Sequence, residues 1–134
     1  MSDAEYPDDL LFTKEHEWVR IDKDGKLATV GITKFAVEQL GDITQIDLPK
    51  EGEKVRKGDV FGTVESVKAV SDIYAPLSGV LVKVNNPLGD TPEDLSDEPY
   101  DEGWMVQIEM SNPEEAKDLM NGEAYEAFVA EQQG

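Results

Sequence analysis

Lys68 is the side chain of this sequence best placed to serve as a chemical handle. Strand-like segments run up to it from both sides, at 59–65 and 70–75, and no loop between them is long enough to fold the lysine away. An amine at so tight a hairpin tip is exposed, with its neighbours held in fixed positions. An enzyme that reads the backbone shape could acylate it. Taken singly, however, a lysine is ordinarily a solvated surface charge. Other reactive residue types are scarce, since His16 is the only histidine and cysteine is absent. This excludes a disulfide scaffold, a thiolate zinc site, a cysteine nucleophile and a cluster of histidine ligands. His16 titrates near neutrality when unperturbed and is the one acid–base candidate, but with no visible nucleophile it reads as structural or solvated. Asp22-Lys23-Asp24-Gly25 hints at a calcium loop. The EF-hand register would put Arg20 at the first ligand position and Gly31 at the last, so this segment reads as a plain turn. No metal and no catalytic set are expected.

The elements that must hold Lys68 are mostly short strands. Chemistry apart, 134 residues suit one domain, 1–134, and 12 basic against 30 acidic side chains give a net charge of −18. A pI near 4.2 argues against nucleic acid as a partner, because each phosphate would meet like charge. No apolar run approaches the roughly 18 residues that span a bilayer, so no membrane is expected. Met1-Ser2-Asp3-Ala4-Glu5 shows neither a signal peptide nor a transit peptide, and a cytoplasmic monomer is expected.

Strands are predicted at 17–21 and 27–32, joined by the Asp22–Gly25 turn, then at 43–48, 59–65, 70–75, 80–84 and 104–110. In the last of these Trp104, Val106, Ile108 and Met110 alternate inward. Thr33 reads as the cap of a short helix with Ala36 and Leu40 on one side and Gly41 as its stop. Several short strands at this spacing imply a small sandwich or barrel, with a strand-rich core at about 12–111. The tail changes period. Asn112-Pro113-Glu114-Glu115 opens a helix with Ala116, Leu119 and Met120 on one face, stopped by Gly122. A second helix at 123–131 docks Ala124, Ala127 and Phe128. Both read as packing helices. The acidic stretch 90–102 reads as a solvated loop that could steer the protein toward basic partners. An internal echo links 58–65 with 102–109, each an alternating strand with an acidic residue and a glycine near its start and a glutamate at its end.

Particular motifs resemble one family. They are Glu15-His16-Glu17-Trp18-Val19; Ala28-Thr29-Val30-Gly31-Ile32-Thr33 followed by Glu38-Gln39-Leu40-Gly41-Asp42; Val64-Glu65-Ser66-Val67-Lys68-Ala69 with Ser71-Asp72-Ile73-Tyr74-Ala75-Pro76; and Pro99-Tyr100 with Glu102-Gly103-Trp104. In this order they resemble the H protein of the glycine cleavage system, from about residue 12 to 128. Asp101 and Ser96 depart from the family pattern, standing where glycine and asparagine are common. Biotin carriers share the architecture but typically flank their lysine with methionines, where Val67 and Ala69 stand here.

The resemblance implies a mainly β lipoyl-carrier (barrel-sandwich hybrid) fold, two small antiparallel sheets related by approximate two-fold symmetry, with a short internal helix and C-terminal helices. It implies lipoate in amide linkage on Lys68, with Glu65, Ser66, Val67 and Ala69 shaping the hairpin or read by the lipoate-attaching enzyme. The chain is then no enzyme itself. It is a carrier for the aminomethyl group, taken from a pyridoxal-phosphate glycine decarboxylase to an aminomethyltransferase with tetrahydrofolate, and is reoxidised by dihydrolipoyl dehydrogenase. The resemblance also implies a cleft for the loaded arm formed by Glu17, Ile32, Thr33 and Asp72, with Glu17 the main anchor because a carboxylate suits an ammonium. The alternatives are an H-like carrier serving lipoate relay or another pathway, and an unmodified acidic binding module.

Overall fold

The computed structural model describes residues 10–133. Its strands are β1 (Leu11–Phe12), β2 (Glu17–Ile21), β3 (Leu27–Ile32), β4 (Ile43–Asp47), β5 (Lys54–Val55), β6 (Val60–Ser66), β7 (Val70–Tyr74), β8 (Gly79–Val84) and β9 (Val106–Met110). Its helices are α1 (Lys34–Leu40), α2 (Glu93–Asp97) and α3 (Gly122–Gln133). The strands form a six-stranded sheet, β1-β2-β3-β9-β8-β5, and a three-stranded sheet, β4-β6-β7. Every registered pair is antiparallel. The fold is therefore mainly β with two antiparallel sheets, as expected, although the sheets differ in size. The echoing segments fall on corresponding strands: β6 lies between β4 and β7, and β9 between β3 and β8.

Alternation explains the core. Val30 and Ile32 of β3, Val64 of β6, Ile73 of β7, Leu81 of β8 and Ile108 of β9 are all buried in one cluster with Val37 and Leu40 of α1. In β9 Val106 and Ile108 are buried, while Trp104 and Met110 at the ends of the predicted run are only half-buried. The Asp22 turn is a plain turn: its Oδ1 accepts from the N–H groups of Lys26 and Leu27 at 3.0 and 3.2 Å, and Gly25 supplies a positive φ of 71°. Thr33 caps α1 as predicted, its Oγ1 accepting from the N–H of Ala36 at 3.2 Å.

A second cluster lies under the C-terminal helix, where Leu10, Phe12, Trp18, Phe35, Tyr125 and Val129 are buried together. Here the tail departs from expectation. Residues 113–118 form a 3₁₀ segment capped by Asn112, and the predicted α-helical face of Ala116, Leu119 and Met120 does not form. Met120 exchanges backbone hydrogen bonds of 2.7 and 2.8 Å with Phe12, and this pairing draws the chain out of helical geometry. Gly122 begins α3 and does not stop a helix, with Asn121 Oδ1 accepting from the N–H of Ala124 at 2.8 Å. The docked face carries Tyr125 and Val129, and Ala124 and Ala127 are exposed. The larger side chains at i and i+4 bury more apolar area than the alanines would.

The stretch 90–102 is also not a solvated loop. It holds α2, whose Leu95 is fully buried, and Pro99 is buried as well. Trp18 Nε1 donates to the Pro99 carbonyl at 2.7 Å, and Arg20 donates to the Tyr100 carbonyl at 3.0 Å. The Trp18 ring lies so flat against Gly31 that a Cβ there would come within 2.7 Å of it. Among the described residues no helix is long and apolar enough to cross a membrane.

Candidate functional site

Lys68 stands at the tip of the β6–β7 hairpin, where Glu65 pairs with Val70 and only Val67, Lys68 and Ala69 lie between the strands. Ser66 closes the tip. Its N–H donates to the Ala69 carbonyl at 2.8 Å, and its Oγ accepts from the N–H groups of Lys68 and Ala69 at 3.2 and 3.1 Å. The Val67 N–H donates to the Asp42 carbonyl at 3.2 Å, tying the tip to the chain that follows α1. Val67, Lys68, Ala69 and Val70 are exposed, and Val67 and Val70 keep 70% and 64% of their surface in solvent. The tip is thus an accessible amine on a pinned backbone, flanked by apolar side chains.

The Lys68 stem leans on Gly41, the C-cap of α1, where a Cβ would sit 3.1 Å from Lys68 Cε. Gly41 also has φ of 80°, which an L side chain adopts only with strain. The glycine both ends α1 and leaves room for the lysine. Its neighbour Leu40 and the nearby β7 residues Ser71 and Ile73 belong to the wall of a cleft of about 320 Å³. Ile32, Phe35, Ala36 and Gln39, with Glu15 and His16, complete its lining. The cleft therefore starts beside the lysine-bearing hairpin and runs between α1 and β7.

Glu17 stands beside Ile32 but is not among the residues lining this cleft. It pairs with Ile32 across β2 and β3, is 1% exposed, and has both carboxyl oxygens engaged. Thr13 Oγ1 donates to Oε1 at 2.7 Å and the Tyr74 N–H donates to Oε2 at 3.0 Å. Burial pushes its pKa up from 4.5 to about 7, against the pull of these two hydrogen bonds and helped by the nearby Glu15 charge. A wider cleft of about 500 Å³ lies on the Thr13 and Tyr74 side, with Lys57 and Asp118 in its lining joined by a 2.9 Å ion pair. Neither cleft is lined by Val67, Lys68 or Ala69, but the narrower one includes Leu40 and Ser71, the chain neighbours of Gly41 and Val70.

The remaining sequence candidates are placed differently. Ile32 lines the narrower cleft, whereas Thr33 and Asp72 are not among its lining residues. Thr33 is fully buried, and its hydroxyl serves the α1 cap and Tyr125 Oη at 2.8 Å. Asp72 is exposed, because strand alternation turns it to the face opposite Ser71 and Ile73. His16 has φ of 72°, packs against Phe35 and Phe128, and approaches Tyr125 Oη with Nδ1 at 2.7 Å. Sequence reasoning missed Tyr125, Gly41 as a lysine contact, and the wall residues Phe35, Gln39 and Ser71. The helical period of α1 and the alternation around Asp72 were available signals for the last of these.

The family model described as glycine cleavage H-protein matches residues 10–132. A glycine cleavage system H protein from Anaeromyxobacter sp. is 51% identical over 129 residues, covering 96% of this chain and 99% of the relative. One from Oceanobacillus iheyensis is 50% identical over 123 residues, covering 92% and 96%. Among solved structures, a glycine cleavage system H protein from Mycobacterium marinum superposes with a TM-score of 0.85 at 36% identity, covering 92% of this chain and 98% of that one.

Proposed function

Because the chain belongs to the glycine cleavage H-protein family, we propose that it is a carrier that holds lipoate in amide linkage on Lys68 and shuttles the aminomethyl group between the enzymes of that system. The observation that carries the reading is an exposed lysine on a hydrogen-bonded hairpin tip, adjoining a partly apolar cleft through Gly41 and Leu40. These residues fit the group: the amine is accessible for acylation, and the nearby cleft offers apolar wall for an acyl chain. Bound lipoate would supply the reducible disulfide that accepts the aminomethyl group.

The protein's own contribution is attachment, orientation and shelter. Ser66 fixes the loop that an attaching enzyme reads, with Glu65, Val67 and Ala69 as the surface around the amine. Ile32 and the walls beside it exclude water from the cleft. Glu17, beside Ile32, is about half protonated near neutrality, and an ammonium brought beside it would draw out its charge. Thr33 holds the start of α1, and Asp72 puts negative charge on the outer face of β7. No side chain of the chain is required to do bond chemistry. The partners are then the glycine decarboxylase, the tetrahydrofolate-dependent aminomethyltransferase, dihydrolipoyl dehydrogenase and a lipoate-attaching enzyme.

Intact mass tests the attachment. Wild-type protein expressed in a lipoylation-competent host gains one lipoyl group, and Lys68→Arg gains none while keeping the charge. If neither gains mass, the carrier reading fails. Glycine-dependent carbon dioxide exchange with the decarboxylase then separates glycine cleavage from another use of the same arm.

A further inference from the structure

Four large apolar side chains are exposed among the described residues: Val60, Val67, Val70 and Val82. The first three belong to the lysine-bearing sheet, Val67 at the hairpin tip and the other two on the strands that lead to it. Scattered valines need no explanation, but three gathered on one small sheet mark a contact surface.

Register puts Val60 and Val70 on one face. Val60 lies opposite Tyr74, Thr63 opposite Asp72 and Glu65 opposite Val70. Ile73 is buried between Asp72 and Tyr74, so alternation turns all three pairs outward. From β4, Asp47 stands beside Thr63 and Gln45 beside Glu65. The Asp47 carboxylate is held there, accepting from Gln45 Nε2 at 3.0 and 3.2 Å and from Thr63 Oγ1 at 3.2 Å. The outer face of β4-β6-β7 is thus valine surface set among the acids Asp47, Glu65 and Asp72, and none of the three strands contains a lysine, arginine or histidine.

The two sides of the tip are not alike. On the inner side, where Ser71 and Ile73 face α1 across the narrower cleft, the Lys68 stem leans on Gly41 and the Val67 N–H is bonded to the Asp42 carbonyl. The end of α1 fills that approach. On the outer side the sheet runs back from the tip, with Val70 and then Asp72, about 7 Å further on, both exposed.

We propose that this outer face is the docking surface of the lipoate-attaching enzyme, which meets it with an apolar contact ringed by arginine or lysine side chains. That enzyme has to bring its reacting centre to Lys68 Nζ itself, so its footprint includes the tip and the open surface next to it. An enzyme that uses the finished arm meets the arm's far end, clear of the sheet. Opposite charge around a small apolar contact fixes the register of docking and excludes acidic competitors. The inference rests on the carrier reading and carries recognition beyond residues 65–69 to Val60 and to Asp47 and Asp72, which stand on the two edge strands of the sheet.

The test follows attachment by intact mass, with a lipoate ligase and lipoyl adenylate: the amide forms at Nζ as AMP leaves with the electron pair and the amine gives up a proton. Val60→Thr with Val70→Thr keeps β-branched residues in the strands, and Asp47→Asn with Asp72→Asn keeps side-chain shape. Each pair should lower kcat/KM about tenfold through KM, with kcat and melting temperature near those of the wild type. The asparagine pair should also flatten the dependence on salt. Val82→Thr, on the other sheet, should be acylated as the wild type is. Equal kcat/KM in the wild type and both pairs overturns the proposal and leaves the carrier reading intact. Normal attachment in pairs that lose glycine-dependent carbon dioxide exchange gives the face to the decarboxylase, and a wild-type dimer that the pairs dissociate gives it to a second copy; either result also overturns the proposal. A wild type that gains no lipoyl group sinks the carrier reading, and the docking surface with it.

Discussion

Glu17 is a single buried group that ties stability to pH. Its folded pKa lies above the unfolded one, so the folded chain holds an extra proton between about pH 4.5 and 7. The stabilisation that this proton confers is complete below about pH 4.5 and is lost as pH rises through about 7. A shift of this size corresponds to about 3 kcal/mol. Relative to Glu17→Gln, which cannot titrate, the wild type should therefore lose stability across that window in denaturant melts at successive pH values. The same variant tests the anchor: formaldehyde release from loaded Glu17→Gln should be faster than wild type, and an unchanged half-life would remove Glu17 from that role. Sequence made the carboxylate a candidate through the resemblance, but its burial was not legible. The bonds from Thr13 and Tyr74 that make burial tolerable come from the loop after β1 and from β7, a strand of the other sheet.

Among the elements, those with an alternating apolar pattern were legible nearly to the residue. β2 and β3 occupy the predicted spans, and β6, β7 and β8 differ from theirs by a single residue at one end or both. These strands are set by local period, and the Lys68 hairpin followed because the strands on either side of it did. The errors fell where tertiary contacts outrank local propensity. Asn112-Pro113-Glu114-Glu115 starts a helical turn as its chemistry requires, but pairing of Met120 with Phe12 ends it. The acidic stretch looked solvated because charged residues surround Leu95, which nonetheless seats α2 in the core. Leu95→Ala should cost roughly 2–5 kcal/mol in a chemical melt, the usual range for a buried leucine. A cost below about 0.5 kcal/mol, typical of surface positions, would return the stretch to the status of a loop.

At the scale of the whole molecule, a charge of −18 spread over one small domain makes a strong negative field. Successive short visits to several enzymes suit attraction at a distance combined with weak contact, and this is the use we expect of the acidity. Turnover with the decarboxylase should fall as ionic strength rises from about 0.01 M to 0.15 M, where the screening length shrinks from about 30 Å to 8 Å. Indifference to salt would show that the field plays no part. The strand pattern alone gave a small sandwich or barrel and the resemblance gave the two-sheet architecture; the echo, weak by itself, falls on β6 and β9, one strand in each sheet. The unequal sheet sizes were not legible, since β1 and β5 are two-residue strands with no period to read.

The Tyr125–His16 contact spans 109 residues of chain, and the Phe12–Met120 pairing is nearly as distant. The Lys68 hairpin, by contrast, closes from residues only a few positions apart. On the ribosome these two parts emerge at different times. At about 5–20 residues per second, the last helix follows the hairpin by several seconds. For that interval the lysine-bearing segment is made while the tyrosine that bridges the cleft's walls is still to come. Birth order alone thus presents the lysine before the cleft beside it can be complete.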